Sequence, residues 1–464
     1  MEISSLSSSD TRGKDDLVDA VNTDDRISTL SKDLLLKILS SLSTKEVVRT
    51  SVLSKRWGDV WKETSEIFMD MRYITISRYL SIDFSPYAAG WLTKVINDHS
   101  GNFERFTIYH FAHQCVDGMV EAWIRSLIHV KHVKHLTLIN CFGPFVPNSI
   151  LTLDLPPKSF SHPNLKSLHL GRYTLKDPHG FDNCWNLKKL KLIAVFAEIE
   201  VFNVVLMSCP SLEVLVVDLH CHKQSGPLKI ENRNLKFLCL SCCSQIDGIE
   251  VATPSLEILT VKSLSCEIEK FVIANPNLQF NRNYWATGQL YPHTSYYISC
   301  PPDQDKTSIG HEVMMSEPSE YMKFYASMSV SIDLTNTKEV DMLKEVLAAW
   351  PDEMQELEIL FKNSNVPRKE GETPMGRTKR KFWEETKPFP NGHFRVHTVW
   401  LFNFSGSKEE FALASRLITQ GTVVMTMKIQ PASISLSNKL EIEAAVTKLK
   451  ELPKGHTELS IVMF

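Results

Sequence analysis

The residue groups that could do chemistry are few, and each lacks a part that its chemistry needs. Gly371-Glu-Thr-Pro-Met-Gly-Arg-Thr378 comes close to a phosphate-cradling loop, a glycine-rich turn whose lysine reaches the phosphates. Arg377 stands where that lysine belongs, Glu372 would repel phosphate, and no amphipathic helix comes after it, so the segment reads as a surface loop. Cys239-Leu-Ser-Cys242 has the spacing of a redox pair or half a zinc site. It begins inside a strand pattern, however, whereas a redox thiolate wants a helix N-terminus, and no second Cys pair stands nearby. His220-Cys221-His222 offers three ligand types, but strand alternation turns Cys221 away from both histidines. Arg377-Thr-Lys-Arg-Lys381 is either a nuclear-import address or a solvated basic loop. Nucleophile-elbow, HExxH and dinucleotide motifs are absent. The expectation is a chain with no catalytic residue, metal ligand or cofactor.

The Cys239 strand belongs to a repeating pattern, and the repeat decides the architecture. Asn164-Leu-Lys-Ser-Leu-His-Leu170 recurs as Asn186–Leu192, Ser211–Val217, Asn234–Leu240 and Ser255–Val261, with a stub at Asn277-Leu278. The interval is 21 to 25 residues, inside the leucine-rich-repeat range. Val133-Lys-His-Leu-Thr-Leu138 reads as an earlier, irregular copy. Each phrase supplies one short strand whose leucines enter a core that the next repeat covers. The alternate residues line the opposite, concave face: Ser167 and His169, Lys189 and Lys191, Val214 and Val216, Phe237 and Cys239, Ile258 and Thr260. Val214, Val216, Phe237 and Ile258 form an apolar patch there, which either a target protein or another part of this chain must cover. These four are the expected target-binding residues. Lys188, Lys189 and Lys191 read as a solvated edge.

The flanking regions differ in pattern. Leu34, Leu35, Ile38, Leu39 and Leu42 form an apolar stripe at helical spacing, with Ser31 as N-cap. A second helix starts at Ser43, where Ser43 and Glu46 fit a capping box, and a third comes after Ser54 with Trp57, Val60 and Trp61 on one face. Three such helices bury little alone and call for a neighbour. After the repeats, residues 281–325 are irregular, with a loop around Cys300–Asp305. Strands are then predicted over 328–334, 357–361, 394–404, 422–429 and 458–464, with helices over 337–349, 407–419 and 439–452 and a charged loop over 366–380.

With 464 residues, 43% hydrophobic content and a net charge of −3, the chain fits a multi-domain globular protein without long-range attraction to nucleic acid or anionic membrane. The Ser- and Asp-rich start lacks a signal-peptide core, no run is long enough to span a bilayer, and ten scattered cysteines suit reduced thiols. Nucleus or cytoplasm, or both, is the expected location, with neither membrane nor nucleic acid as a partner.

Asp25-Arg-Ile-Ser28, Leu34-Leu35, Ile38-Leu39-Ser40 and Thr50-Ser-Val-Leu-Ser-Lys-Arg-Trp57 together resemble the plant F-box pattern, with Ser31 and Ser43 where that pattern usually carries Pro. Trp383, Pro388, Pro390, Asn403-Phe-Ser-Gly406, Glu409 and Glu410 resemble the plant FBD domain. The order is similar to that of the plant F-box/FBD/leucine-rich-repeat family along nearly the whole chain. The resemblance implies an α/β protein in which a three-helix F-box precedes a leucine-rich-repeat strand-helix solenoid capped by an FBD-like α/β region. The corresponding boundaries are a tail over 1–24, F-box 25–71, repeats 72–280, irregular repeats and loop 281–380, and FBD 381–464. It further implies a non-catalytic substrate-recognition subunit of an SCF-type ubiquitin ligase. In that role Leu30, Leu34, Leu35, Ile38, Leu39 and Val48 would meet a Skp-family adaptor, and through it a cullin, while the repeats hold an unknown target protein. The other reading is a repeat-based interaction scaffold without ligase function.

Overall fold

The computed structural model describes residues 30–39, 42, 44–50, 53, 55–72, 85–141, 150–223, 225–262, 266–275, 278, 294–299, 312–313, 326–350, 353–362, 389–432 and 436–464. The loops expected over 300–305 and 366–380, the phosphate-loop-like segment 371–378 and the basic run 377–381 lie outside these residues.

The first described elements are short helices: α1 (Lys32–Leu39), α2 (Thr44–Thr50) and α3 (Lys55–Val60), closed by a 3-10 turn over Trp61–Glu63. Ser31 caps α1 as its sequence position suggests, its Oγ accepting from the Leu34 N–H at 3.4 Å. Leu35, Leu39, Val47, Trp57 and Val60 close a small core of their own. Backbone groups tie this helical unit to the next part of the chain: Ser100 N–H donates to the Lys62 carbonyl at 2.9 Å, and His99 Nε2 meets the Thr64 carbonyl at 2.9 Å.

The rest is built on one continuous sheet. Its strands are β1 (Glu66–Asp70), β2 (Arg105–Phe111), β3 (His135–Cys141), β4 (Leu151–Leu153), β5 (Ser167–Gly171), β6 (Tyr173–Leu175), β7 (Lys189–Phe196) and β8 (Val214–His220). Beyond them come β9 (Pro227–Ile230), β10 (Phe237–Ser244), β11 (Gly248–Val251), β12 (Ile258–Lys262) and β13 (Phe271–Ile273). The chain closes with β14 (Thr294–Ser299), β15 (Ala326–Ile332), β16 (Met354–Phe361), β17 (Val396–Phe404), β18 (Val423–Pro431) and β19 (Ser460–Met463). Spatial order in the main sheet follows chain order from β1 to β19; β4 and β6 branch off it, and β9, β11 and β13 form a second, parallel sheet of three. Glu66–Asp70 falls within the expected F-box span, but it is the first strand of the sheet, paired in parallel with β2.

The leucine phrases do what their period demands. Leu165, Leu168 and Leu170, then Leu187, Leu190 and Leu192, and their counterparts through Leu256, Leu259 and Val261, all lie in one core. The strand phrase begins earlier than the leucines suggest. Phe103, Phe106 and Ile108 occupy the same offsets in β2, in register with Leu136 and Leu138 of β3. Here α4 (Ser85–Asp98) and α5 (Met119–Arg125) cover the core side, as α6 (Ile199–Met207) does further on.

One pairing changes the architecture. β12 and β14 are antiparallel, whereas every other neighbouring pair in the main sheet is parallel among the described residues. A β-helix-β crossover has a fixed right hand, so reversing strand direction moves the crossover helix to the opposite face. Accordingly α7 (Thr337–Ala348), α8 (Lys408–Thr419) and α9 (Leu436–Glu451) pack on the face that carries Val214 and Phe237, not on the leucine face. The predicted strands and helices of this region are present, within a few residues of their expected ends. The α7 and α8 starts are fixed by side chains: Asn336 accepts from the Lys338 N–H, and Ser407 with Glu410 makes a reciprocal capping box.

Candidate functional site

Helix α1 sorts its apolar residues into two stripes. Leu35 and Leu39, expected at an adaptor interface, are instead fully buried in the helical unit's own core. Leu30 is half-buried against the same cluster. Leu34 and Ile38, four residues apart and therefore on one face, are 49% and 41% exposed. The Val48 side chain lies outside the described residues, although its backbone belongs to α2. An amphipathic helix with a second, solvent-facing apolar pair is the form that docks into a partner's groove.

The concave apolar patch is not a surface. Val214, Val216, Phe237 and Ile258 are buried in a single cluster with Tyr296, Met328, Leu343, Leu413 and Ile442. These four expected target contacts are therefore core residues, and the cover is the C-terminal half of the same chain. The physical reason is the β12–β14 reversal, which brings helices onto this face. β8, β10 and β12 pair Val214 with Phe237 and Phe237 with Ile258, so the patch is a continuous row that the helices close over.

Among the described residues, the same strand face from β1 to β7 lies outside this C-terminal helical layer. It carries Phe68, which is 46% exposed, then Arg105, Thr107, His135, Thr137, Ser167, Lys189 and Lys191, none of them buried. Between α1 and this face lies a pocket of about 270 Å³ lined by Leu36, Leu39, Leu42, Glu63–Phe68, Arg105 and Thr107. This face thus starts beside the helix that presents Leu34 and Ile38. Sequence reasoning missed its first two strands because β2 spells the repeat with Phe103, Phe106 and Ile108. Allowing aromatic and β-branched residues at the leucine positions would have found that strand.

The groups singled out for chemistry are quiet in the fold. Cys221 is buried, which pushes its thiol up to about 11, and Cys239 is buried inside β10. The Cys242 side chain lies outside the described residues. His220 is engaged with Ser244 Oγ at 2.6 Å and Asp218 at 3.4 Å. No group of three His, Cys, Asp or Glu side chains that could hold a metal occurs among the described residues. One pair the spacing could not reveal is Cys115 Sγ, 3.4 Å from His110 Nδ1. Burial pushes this thiol up to about 12 and the imidazole down to about 4. Both partners are neutral near pH 7, so the pair holds neither thiolate nor imidazolium for nucleophilic work. His110 is structural: its Nε2 faces the buried Tyr173 hydroxyl at 2.6 Å and its Nδ1 the Phe111 carbonyl at 3.2 Å. No helix among the described residues is long and apolar enough to cross a membrane.

Comparison with known proteins agrees with this division. Residues 27–67 match the F-box domain model, and residues 120–281 match the model of the leucine-rich repeats of FBD-associated F-box protein At5g56370. The chain is 45% identical to F-box protein At1g80960 of Arabidopsis thaliana over 450 residues, covering 95% of this chain and 90% of that protein. It is 44% identical to F-box protein At3g60790 of the same plant over 448 residues, again covering 95% and 90%. F-box proteins are in general substrate-recognition subunits of SCF ligases, bind Skp1-like adaptors and do no catalysis themselves. The chain belongs to the plant F-box/FBD/leucine-rich-repeat protein family.

Proposed function

We propose that this chain is the target-binding subunit of an SCF-type ubiquitin ligase, acting in the nucleus or cytoplasm. α1 docks a Skp-family adaptor, the adaptor links it to a cullin, and the strand-helix coil holds a target protein. Ubiquitin transfer then needs no catalytic group here, because holding the target beside a ubiquitin-charged enzyme raises the effective concentration of its lysines. The observation that carries the reading is the exposed Leu34 and Ile38 pair on a helix whose other stripe already fills its own core. Co-purification of the full chain with a Skp-type adaptor tests it. Leu34→Asp with Ile38→Asp should abolish binding while circular dichroism and the melting midpoint stay unchanged, since both side chains face solvent. Leu35→Asp should cost stability as well, because it places a charge in the core. Failure of the wild-type chain to bind adaptor at micromolar concentration would sink the ligase reading and leave a repeat scaffold.

A further inference from the structure

We infer that the strand face from β1 to β7, outside the C-terminal helical layer, binds an acidic peptide segment of the target. This rests on the reading that the chain holds a target, and it names the chemistry of that target. Strand pairing places Arg105 beside His135, His135 beside Ser167 and Ser167 beside Lys189, with Lys191 on the next row beside His169. Three strand spacings separate Arg105 from Lys189, about 14 Å, the reach of roughly four residues of extended peptide.

Two cations on this face, Lys189 and Arg105, are exposed, and Arg105 stands beside Glu66 on the neighbouring strand. Lys189 is exposed and makes no ion pair among the described residues. Arg105, its side chain 54% exposed, has only Glu66 at 3.9 Å, the outer limit of an ion pair. The other carboxylates nearby have partners: Asp70 is closed on Arg72 at 2.5 Å, Glu104 on Lys134 at 2.6 Å and on His135 at 3.7 Å, and Glu213 on Lys188 at 2.6 Å. His135 feels the excess positive charge. Its pKa is lowered first by burial and then by Arg105, with Lys189 and Lys134 adding to the effect against Glu104. At the β1–β2 end Phe68 and Tyr109 are in ring contact at 5.5 Å, with the Arg72 guanidinium 4.8 Å from the Tyr109 ring centre. The face runs from the pocket beside α1 at one end to the C-terminal helical unit, against which Ile193 packs, at the other. A basic, partly aromatic face in a chain whose net charge is −3 is complementary to carboxylate or phosphate side chains and selects against basic segments.

The test is fluorescence anisotropy on the full chain with three labelled probes: a short Glu/Tyr peptide, its Lys/Tyr counterpart and an oligothymidine of similar length. The Glu/Tyr peptide should bind, and its affinity should fall steeply as salt is raised. Lys189→Glu with Lys191→Glu should weaken it by at least about tenfold. Lys188→Glu, which alters a neighbouring cation turned to Glu213, should leave it unchanged. Unaltered binding by the double variant, or tighter binding of the Lys/Tyr peptide or of oligothymidine, overturns the inference. Adaptor co-purification from the same preparations separates the two proposals. Retained adaptor binding without acidic-peptide binding removes only this inference, and the converse removes only the ligase reading.

Discussion

Replacing Phe237 with Ala separates a core role from a recognition role at the concave patch. Phe237 is 0% exposed and sits between Val214 on β8 and Ile258 on β12, under the C-terminal helical layer. Removing its ring deletes the transfer energy of the side chain and leaves a cavity that the paired strands cannot close, a loss of about 3–5 kcal/mol. At roughly 2 °C per kcal/mol for a large domain, the melting midpoint should fall by about 6–10 °C. Ile258→Val, in the same row, removes one methylene and should cost only about 0.5–1.5 kcal/mol. Urea unfolding followed by tryptophan fluorescence and by far-ultraviolet dichroism gives both values, and the graded order is the signature of packing. If Phe237→Ala kept its stability within about 0.5 kcal/mol of wild type, the scatter of surface substitutions, and lost only target binding, the patch would be a recognition surface and not core.

The buried polar groups give two further outcomes. His110 is held down to about 4 by burial, against an unfolded value near 6.5. Its contribution is fully present above pH 6.5 and is lost as pH falls toward 4, by about 1.4 kcal/mol per unit and about 3 kcal/mol in all. The urea midpoint should therefore drop across that window, less so in His110→Gln, and equal slopes in the two proteins would refute the assignment. Glu410 Oε2 accepts from Ser405 N–H, Ser405 Oγ and Ser407 N–H at 2.8, 2.9 and 3.3 Å at the start of α8. Glu410→Ala removes the acceptor of those three donors and should destabilise by about 1–3 kcal/mol. Ser407→Ala removes the other half of the capping box and should cost about 1 kcal/mol. Equilibrium unfolding measures both, and a neutral Glu410→Ala would show that water replaces the carboxylate.

Much of this protein is written locally. The LxxLxL spacing alone assigns Leu165 through Val261 to one core, because a strand alternates its side chains and the next repeat supplies the cover. Ser31, Ser407 and the apolar period of α8 announce their helices through backbone donors that need acceptors nearby. The family resemblance rests on the same local phrases. Two decisions are not local. The helical period of α1 shows that Leu34, Leu35, Ile38 and Leu39 are all apolar and adjacent. Which pair turns inward was settled by where α2 and α3 bring Val47 and Trp57. Likewise the sequence shows Val214, Val216, Phe237 and Ile258 sharing a face but not what covers it. That depends on β14 entering antiparallel to β12, a long-range pairing that reverses strand direction. With crossover hand fixed, the reversal sends α7, α8 and α9 over the patch and, among the described residues, not over the Arg105–Lys189 face.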